Sequence, residues 1–557
     1  MQRGREKKST WQTGLLLPPL AWVSCLFLLP LILVGVYSLA TRRPYGGVDW
    51  ILSGGSYLRL LEPLYAGVAV WSVGIAVLTT TLTLLLGVPV AYTLVLLPRR
   101  RRYLTLLLLM IPFWTNFLVR IYAWMFLLGR EGPLSPLLTS LGLPPLTILF
   151  TPGAVLLGLV YSYLPFMVLP VYAAMERIDP ATVEAAQDLY AKPGRLLWRL
   201  WLPLSLPGVA VGTVLVFIPS VSAFVIPDLL GGARDLMVGN LIQQQYLTVR
   251  DWPFGSALSM LLLFCTLVGV LFCRPWARRD WRRPPLVTGE SRPPWTLTSG
   301  PVHWVARIIT GGVFLFLYAP VALLILYSFN ASRFTAVWRG FTLEWYARLV
   351  QDQAIIAAAW TSLEVALVST LLCLLVGTAA ALAVRRPGGS GVILTTMFLI
   401  VVIPEITLAV SLLLFFVTVG IPLGRTSIIL AHATFSLPLV ALPVRARLQQ
   451  VGRDVEEAAM DLGADEARSL RHILLPLLRP ALLVGGLLSF TASLDDFVVA
   501  YFVSGPGATT LPIRVYSLVK YGVTPEVNAL SALLLVLSIG LITAALLWQG
   551  RRIGVEI

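Results

Sequence analysis

Apolar residues fall in long runs along this chain, and polar residues are gathered in the short segments between them. The runs lie near residues 15–39, 68–97, 103–128, 146–175, 207–230 and 254–273, then near 308–329, 360–384, 391–419, 427–444, 480–503 and 527–548. A barrel strand crosses a bilayer in about 10 residues and a helix in about 20. These runs are too long for strands, and in lipid the backbone must bond within its own element. The pattern predicts an all-α integral membrane protein with about twelve transmembrane helices. Arg3, Arg5, Lys7 and Lys8 precede the first run as they would a secretory signal. Its apolar length exceeds a signal core, so the expectation is a retained helix.

Composition supports this. The chain has 557 residues, 57% hydrophobic and 12% charged, against roughly 25% charged in a soluble domain. The formal net charge of +15 would suggest nucleic acid in a soluble protein. Here the basic residues sit between apolar runs, where they set topology. With the N-terminus inside, the inner segments hold 29 Lys and Arg and the outer ones 12, Arg120 falling within a run. Both termini are therefore expected in the cytoplasm, with lipid as the surrounding partner and no nucleic-acid partner. Cys25, Cys265, Cys273 and Cys373 lie in or at the ends of apolar runs with no Cys-x-x-Cys pair, which predicts neither disulfide nor metal site. His303, His432 and His472 lack ligand spacing and read as structural.

Segment 274–307 contains WRRPPLVTGESRPPW, rich in Pro and Arg without apolar period. It divides the chain into a first module at 1–279, a cytoplasmic linker at 280–300 and a second module at 301–557. Six spans on each side give the halves one orientation, as two parallel six-helix repeats. The longest inner loops repeat at a constant offset of 273. Glu184, Ala185 and Ala186 match Glu457, Ala458 and Ala459; Asp188 matches Asp461, and Arg195 matches Arg468. Pro203, Pro207, Gly212, Phe217, Ser220 and Phe224 match Pro476, Pro480, Gly485, Phe490, Ser493 and Phe497.

The second loop reads EAAMDLGADEARSLRHILLP and the first EAAQDLYAKPGRLLWRLWLP. These resemble the EAA loop of permease subunits of ABC importers. The second fits at Glu457, Ala458, Ala459, Gly463, Ile473, Leu475 and Pro476; the first has Tyr190 in place of glycine and Leu200 in place of isoleucine. Small alanines admit a close partner surface, and glycine allows the left-handed turn that separates two helices. Tyrosine in that turn would cost roughly 1 kcal/mol or more, and Pro193-Gly194 offers a shifted turn just downstream. The resemblance implies that Glu184, Ala185, Ala186, Asp188, Pro203, Glu457, Ala458, Ala459, Asp461, Gly463 and Pro476 couple the pore to two ABC ATPase subunits. None of the four lysines, Lys7, Lys8, Lys192 and Lys520, follows a glycine. A phosphate-cradling Gly-Lys is thus absent, which leaves ATP and Mg to a partner ATPase and no cofactor or catalysis to this chain.

The resemblance extends to spermidine/putrescine importers. IPFWTNFLVRIYAW (111–124) and VSAFVIPDLLGGARDLMVGNLI through RDWPFGSALS (221–259) are similar to the first permease subunit. TLEWYARLV (342–350), SLDDFVVAYFVSGPG (493–507) and LPIRVYSLVKYGVTPEVNALS (511–531) are similar to the second. The implied protein is a fused inner-membrane permease fed by a soluble extracytoplasmic substrate-binding protein. A ferric-iron or other small-solute ABC permease, and a proton-coupled secondary transporter, are the rival readings. Carboxylates at membrane depth are costly and mark pathways. Glu405, read as mid-span, with Asp495, Asp496 and Asp228 near outer helix ends, are the pathway candidates for a polycation.

Overall fold

The described part of each apolar run is mainly helical in the computed structural model. It describes residues 10–537 and 540, apart from 44–46, 114, 131, 141, 143, 145–147, 233–234, 278–300, 333–337, 385–389, 453 and 522–524. The Pro-rich linker 280–300 and the end of the last predicted span lie outside the described residues. The first half contributes α1 (Gly14–Ser38), α2 (Pro63–Leu96), α3 (Arg99–Met110), α4 (Phe117–Leu128) and α5 (Pro152–Glu176). It continues with α6 (Pro180–Asp188), α7 (Leu206–Ser222), α8 (Val225–Leu230), α9 (Val238–Leu247) and α10 (Trp252–Cys273). The second half contributes α11 (Val302–Tyr327), α12 (Gln353–Val384), α13 (Ser390–Val402), α14 (Glu405–Val419) and α15 (Arg425–Val451). It ends with α16 (Asp454–Asp461), α17 (Glu466–Asp495), α18 (Val498–Val503), α19 (Leu511–Tyr521) and α20 (Pro525–Leu537). Besides helix, the described residues hold a two-residue antiparallel pair, Thr41–Arg42 with Val48–Asp49, and an isolated bridge between Asn330 and Phe341.

Eight of these helices are long and apolar enough to cross a membrane, and two bent pairs bring the number to ten. The shorter apolar α4 and α20 fall in two further predicted spans. Large apolar side chains face outward, and most small and hydroxyl residues of α12 face inward. On α12, Trp360, Leu363, Leu367, Leu371 and Leu375 are exposed, whereas Ser362, Ser369, Thr370, Cys373 and Gly377 are buried. Lipid solvates the large side chains, so helices associate through small residues that admit close backbones. Buried hydroxyls return their protons to the helix, as Thr79 does to the Ile75 carbonyl at 2.8 Å and Thr83 to Thr79 at 2.9 Å.

The chain packs into two units whose membership interleaves the halves: 1–57 with 250–263 and 353–514, and 58–249 with 264–352 and 515–557. In the first unit α12, α15 and α17 pack together and α1 lies against α12 and α14. In the second, α2, α5 and α7 pack together and α11 lies against α2 and α4. Each three-helix core thus takes the opening helix of the opposite half. The offset of 273 holds inside both cores. A side chain on Gly485 would meet the Val440 Cα at 2.9 Å; one on Gly212 would meet the Met167 sulfur at 2.7 Å and its Cα at 3.3 Å. Prolines recur likewise at 165 and 170 in α5 and at 438 and 443 in α15.

Candidate functional site

The two loops that resemble EAA loops are built alike. Asp179 caps α6, its Oδ1 accepting from the Ala181 amide at 3.0 Å. Glu184, Ala185 and Asp188 are exposed and Ala186 is half-buried. In the second copy Glu457, Ala458 and Asp461 are exposed and Ala459 is buried. The amides of Leu189, Tyr190 and Ala191 donate to the carbonyls of Ala185, Gln187 and Ala186; those of Leu462, Gly463 and Ala464 donate to Ala458, Met460 and Ala459. This is one hydrogen-bond pattern repeated at the offset of 273. Gly463 is left-handed at φ 86° and Tyr190 at φ 56°. The turn therefore stays at Tyr190 and does not move to Pro193-Gly194: six bonded loop residues outweigh one unfavourable backbone well. Beyond the turns, a five-residue π-helical turn occupies Leu197–Trp201 and Leu470–Leu474, again at equivalent positions, before the exposed Pro203 and half-buried Pro476.

The acids read as pathway candidates separate into two places. Glu405 lies at the break in the middle of its run: it is the first residue of α14, after a bend of 110° at 403–404. Pro404 forces the break, since the residue before a proline is driven out of the helical region and proline lacks the amide a helix interior needs. Asp496 follows the end of α17, where its two carboxylate oxygens accept from the amides of Val499, at 3.4 Å, and Ala500, at 2.8 Å. Both acids thus sit at the amino ends of helices, where the backbone dipole favours negative charge. Their side chains lie close enough to interact, and Asp495, half-buried at the end of α17, is within electrostatic reach of Glu405. Two carboxylates this close repel unless a proton or a cation lies between them. Glu405 is itself exposed.

Sequence reasoning passed over His432. It is buried in α15, with Nε2 3.0 Å from Asp496 Oδ2 and Nδ1 2.7 Å from Ser493 Oγ. Ser369 of α12 donates to the same Ser493 at 3.2 Å. A polar chain therefore runs Ser369, Ser493, His432, Asp496, Glu405 through one unit. A signal for it existed in the repeat: at the offset of 273, His432 faces Leu159 and Asp496 faces Ala223, so the network belongs to one copy only.

Asp228 is in the other unit, on α8. It accepts from Tyr516, whose hydroxyl is in short contact, and from Lys520 Nζ at 2.8 Å. The break in the first half at 111–116 carries no acid. Asn116 caps α4 by accepting from Leu118 and Val119 at 3.1 and 3.3 Å, and the buried Arg120 guanidinium covers the Phe113 ring at 5.0 Å.

Two cores of one design, two matching loop turns in one register, and a carboxylate pair at broken helices describe a duplicated transport pore. The family model for the binding-protein-dependent transport system inner membrane component matches residues 83–273 and again 373–553. The chain belongs to this family, whose members are multi-pass pore subunits of ABC transporters served by ATPase and substrate-binding partners. The spermidine/putrescine transport system permease protein PotB of Salmonella typhimurium (strain LT2) is 39% identical over 270 residues, covering 48% of this chain and 93% of PotB. PotB of Escherichia coli (strain K12) is 40% identical over 257 residues, covering 46% of this chain and 93% of that protein. PotC of the same strain is 43% identical over 247 residues, covering 43% of this chain and 94% of PotC. Each relative, nearly whole, occupies about half of this chain, as expected of two permease subunits fused in one.

Proposed function

We propose that this chain is the fused permease of an ATP-driven polyamine importer, with spermidine and putrescine as substrates. Two ATPase subunits, which hold the ATP and Mg, dock on the two coupling loops, and a soluble binding protein delivers substrate from outside. Both termini face the cytoplasm, the side favoured by the Lys and Arg distribution. The observation that carries the substrate is the likeness at about 40% identity to both PotB and PotC. The chemistry agrees. A protonated amine neutralises the paired Glu405 and Asp496, which otherwise repel each other. Asp496 is held by two backbone amides, so the pair is oriented before the cation arrives.

The test is uptake by proteoliposomes containing the chain with its ATPase and binding protein. Labelled spermidine and putrescine should accumulate only with internal ATP. Uptake of ferric iron without polyamine uptake would overturn the substrate. Uptake that persists without ATP but collapses with the proton gradient would overturn the ABC mechanism.

A further inference from the structure

Lys520 and Tyr516 lie four residues apart on α19, hence on one face of that helix. Both turn to Asp228 on α8, an element of the other half of the sequence within the same unit. The Lys520 ammonium is 2.8 Å from Asp228 Oδ2, donates to the Tyr516 hydroxyl at 3.0 Å, and stands 5.2 Å from the centre of the Tyr516 ring. The Tyr516 hydroxyl donates to the same carboxylate oxygen. Carboxylate, phenol and aromatic face thus surround one primary ammonium on an alkyl chain.

We propose that Asp228 and Tyr516 form a binding site for a primary alkylammonium group, occupied in this conformation by Lys520 as a tethered stand-in. Three observations carry it. The Asp228 side chain is 15% exposed and that of Lys520 is 36% exposed. The acid is fixed and sheltered while the cation that covers it can swing to water. Once Lys520 leaves, the sheltered carboxylate requires another cation. Second, the cluster is not part of the duplicated frame. At the offset of 273, Asp228 faces Tyr501, and α9, the charge-free helix after α8, offers no counterpart to Lys520. A bond needed to build the fold would be expected in both copies. Third, the end of an alkyldiamine is chemically the end of a lysine, so whatever geometry admits Lys520 Nζ admits such a ligand. The identity of the natural ligand rests on the polyamine reading above; the ammonium site does not.

Lys520, being tethered, competes at an effective concentration on the order of millimolar. Removing it should expose the site to added amine. The experiment uses the purified permease–ATPase complex carrying Lys520→Ala or Lys520→Met, without binding protein. Putrescine and n-butylamine should raise the thermal midpoint of Lys520→Ala, and labelled putrescine should bind it about tenfold or more tighter than wild type. Tetramethylammonium, which matches n-butylammonium in charge but has no N–H donors, should do neither. Adding Asp228→Asn should abolish both effects. Lys520→Met fills the stem's space, so it reports if the alanine variant proves unstable; it should also gain binding. No gain in either variant, or equal gain with Asp228→Asn present, overturns the site. A wild-type complex that imports no polyamine while Lys520→Ala still binds n-butylamine would overturn the substrate reading and leave the ammonium site standing.

Discussion

Tyr190 shows how far a single residue can be read. Its sequence position called for glycine, and the equivalent Gly463 takes the expected left-handed turn at φ 86°. That Tyr190 takes the same turn was not legible, because residue preference alone argues against it. The decision belongs to the neighbouring amides, whose bonds to Ala185, Ala186 and Gln187 close the loop. Tyr190 is 92% exposed, so its ring adds little packing to those backbone bonds. Tyr190→Gly should therefore stabilise the turn by about 1 kcal/mol, read as slower hydrogen exchange at residues 189–191. Faster exchange would mean that the ring contributes contacts of its own. Because the two turns match, Glu184→Lys and Glu457→Lys should impair ATPase co-purification and substrate-stimulated ATP hydrolysis to similar extents, with membrane insertion intact. Normal hydrolysis in the Glu457→Lys complex would remove the coupling role of that loop. His432 was illegible for a different reason. A lone histidine in an apolar run carries no periodic signal, and its meaning comes from Asp496 folding back against α15.

At the scale of elements, the existence of the spans was legible and their breaks were not. Hydropathy averages over a window, and a window across 391–419 reads as one span although the helix turns by 110° at Pro404. The local chemistry was present: prolines at 112 and 404 stand at both breaks, and Asn116 is a capping residue. What composition could not supply is the meeting of α14 and α18, which brings Glu405 to Asp496. This meeting separates a structural acid from a pathway acid. Glu405→Gln and Asp496→Asn keep size and most hydrogen bonds, so a purely structural site should lose about 1 kcal/mol or less. As cation ligands, both variants should lose spermidine and putrescine uptake while the complex assembles and its basal ATPase activity persists. Wild-type uptake rates in both would place polyamine specificity in the binding protein alone.

The whole molecule raises the question of what the fusion does. The repeat follows the sequence, one copy before the linker and one after, and was legible from the offset of 273. The packing units do not follow it. α1 lies against α12 and α14, and α11 lies against α2 and α4, so each unit is assembled from both halves. Such an exchange leaves little periodic trace, because a lipid-facing helix and a partner-facing helix have nearly the same apolar composition. It has a mechanical consequence. Tyr161 donates to the Leu317 carbonyl at 3.0 Å, Thr310 donates to Thr93 at 3.1 Å, and His303 stacks on Tyr92 at 5.6 Å. In the other unit, Tyr37 and Thr418 share a hydrogen bond of 3.2 Å. Pulling the halves apart would expose these polar groups to lipid, where each unmade bond costs several kcal/mol. A Pro-rich tie of about twenty residues raises only the effective concentration of one half near the other, which multiplies association without adding a contact. The covalent link should then be dispensable at normal expression in a two-dimensional membrane. Residues 1–288 and 289–557 produced as two chains should co-purify with the ATPase and import polyamine at rates near those of the intact chain. Removing residues 1–40 from the first of these should abolish co-purification, because it strips α1 from the core of α12, α15 and α17. If the two chains are both stably made yet fail to associate, the linker has a structural role that the exchanged helices cannot replace.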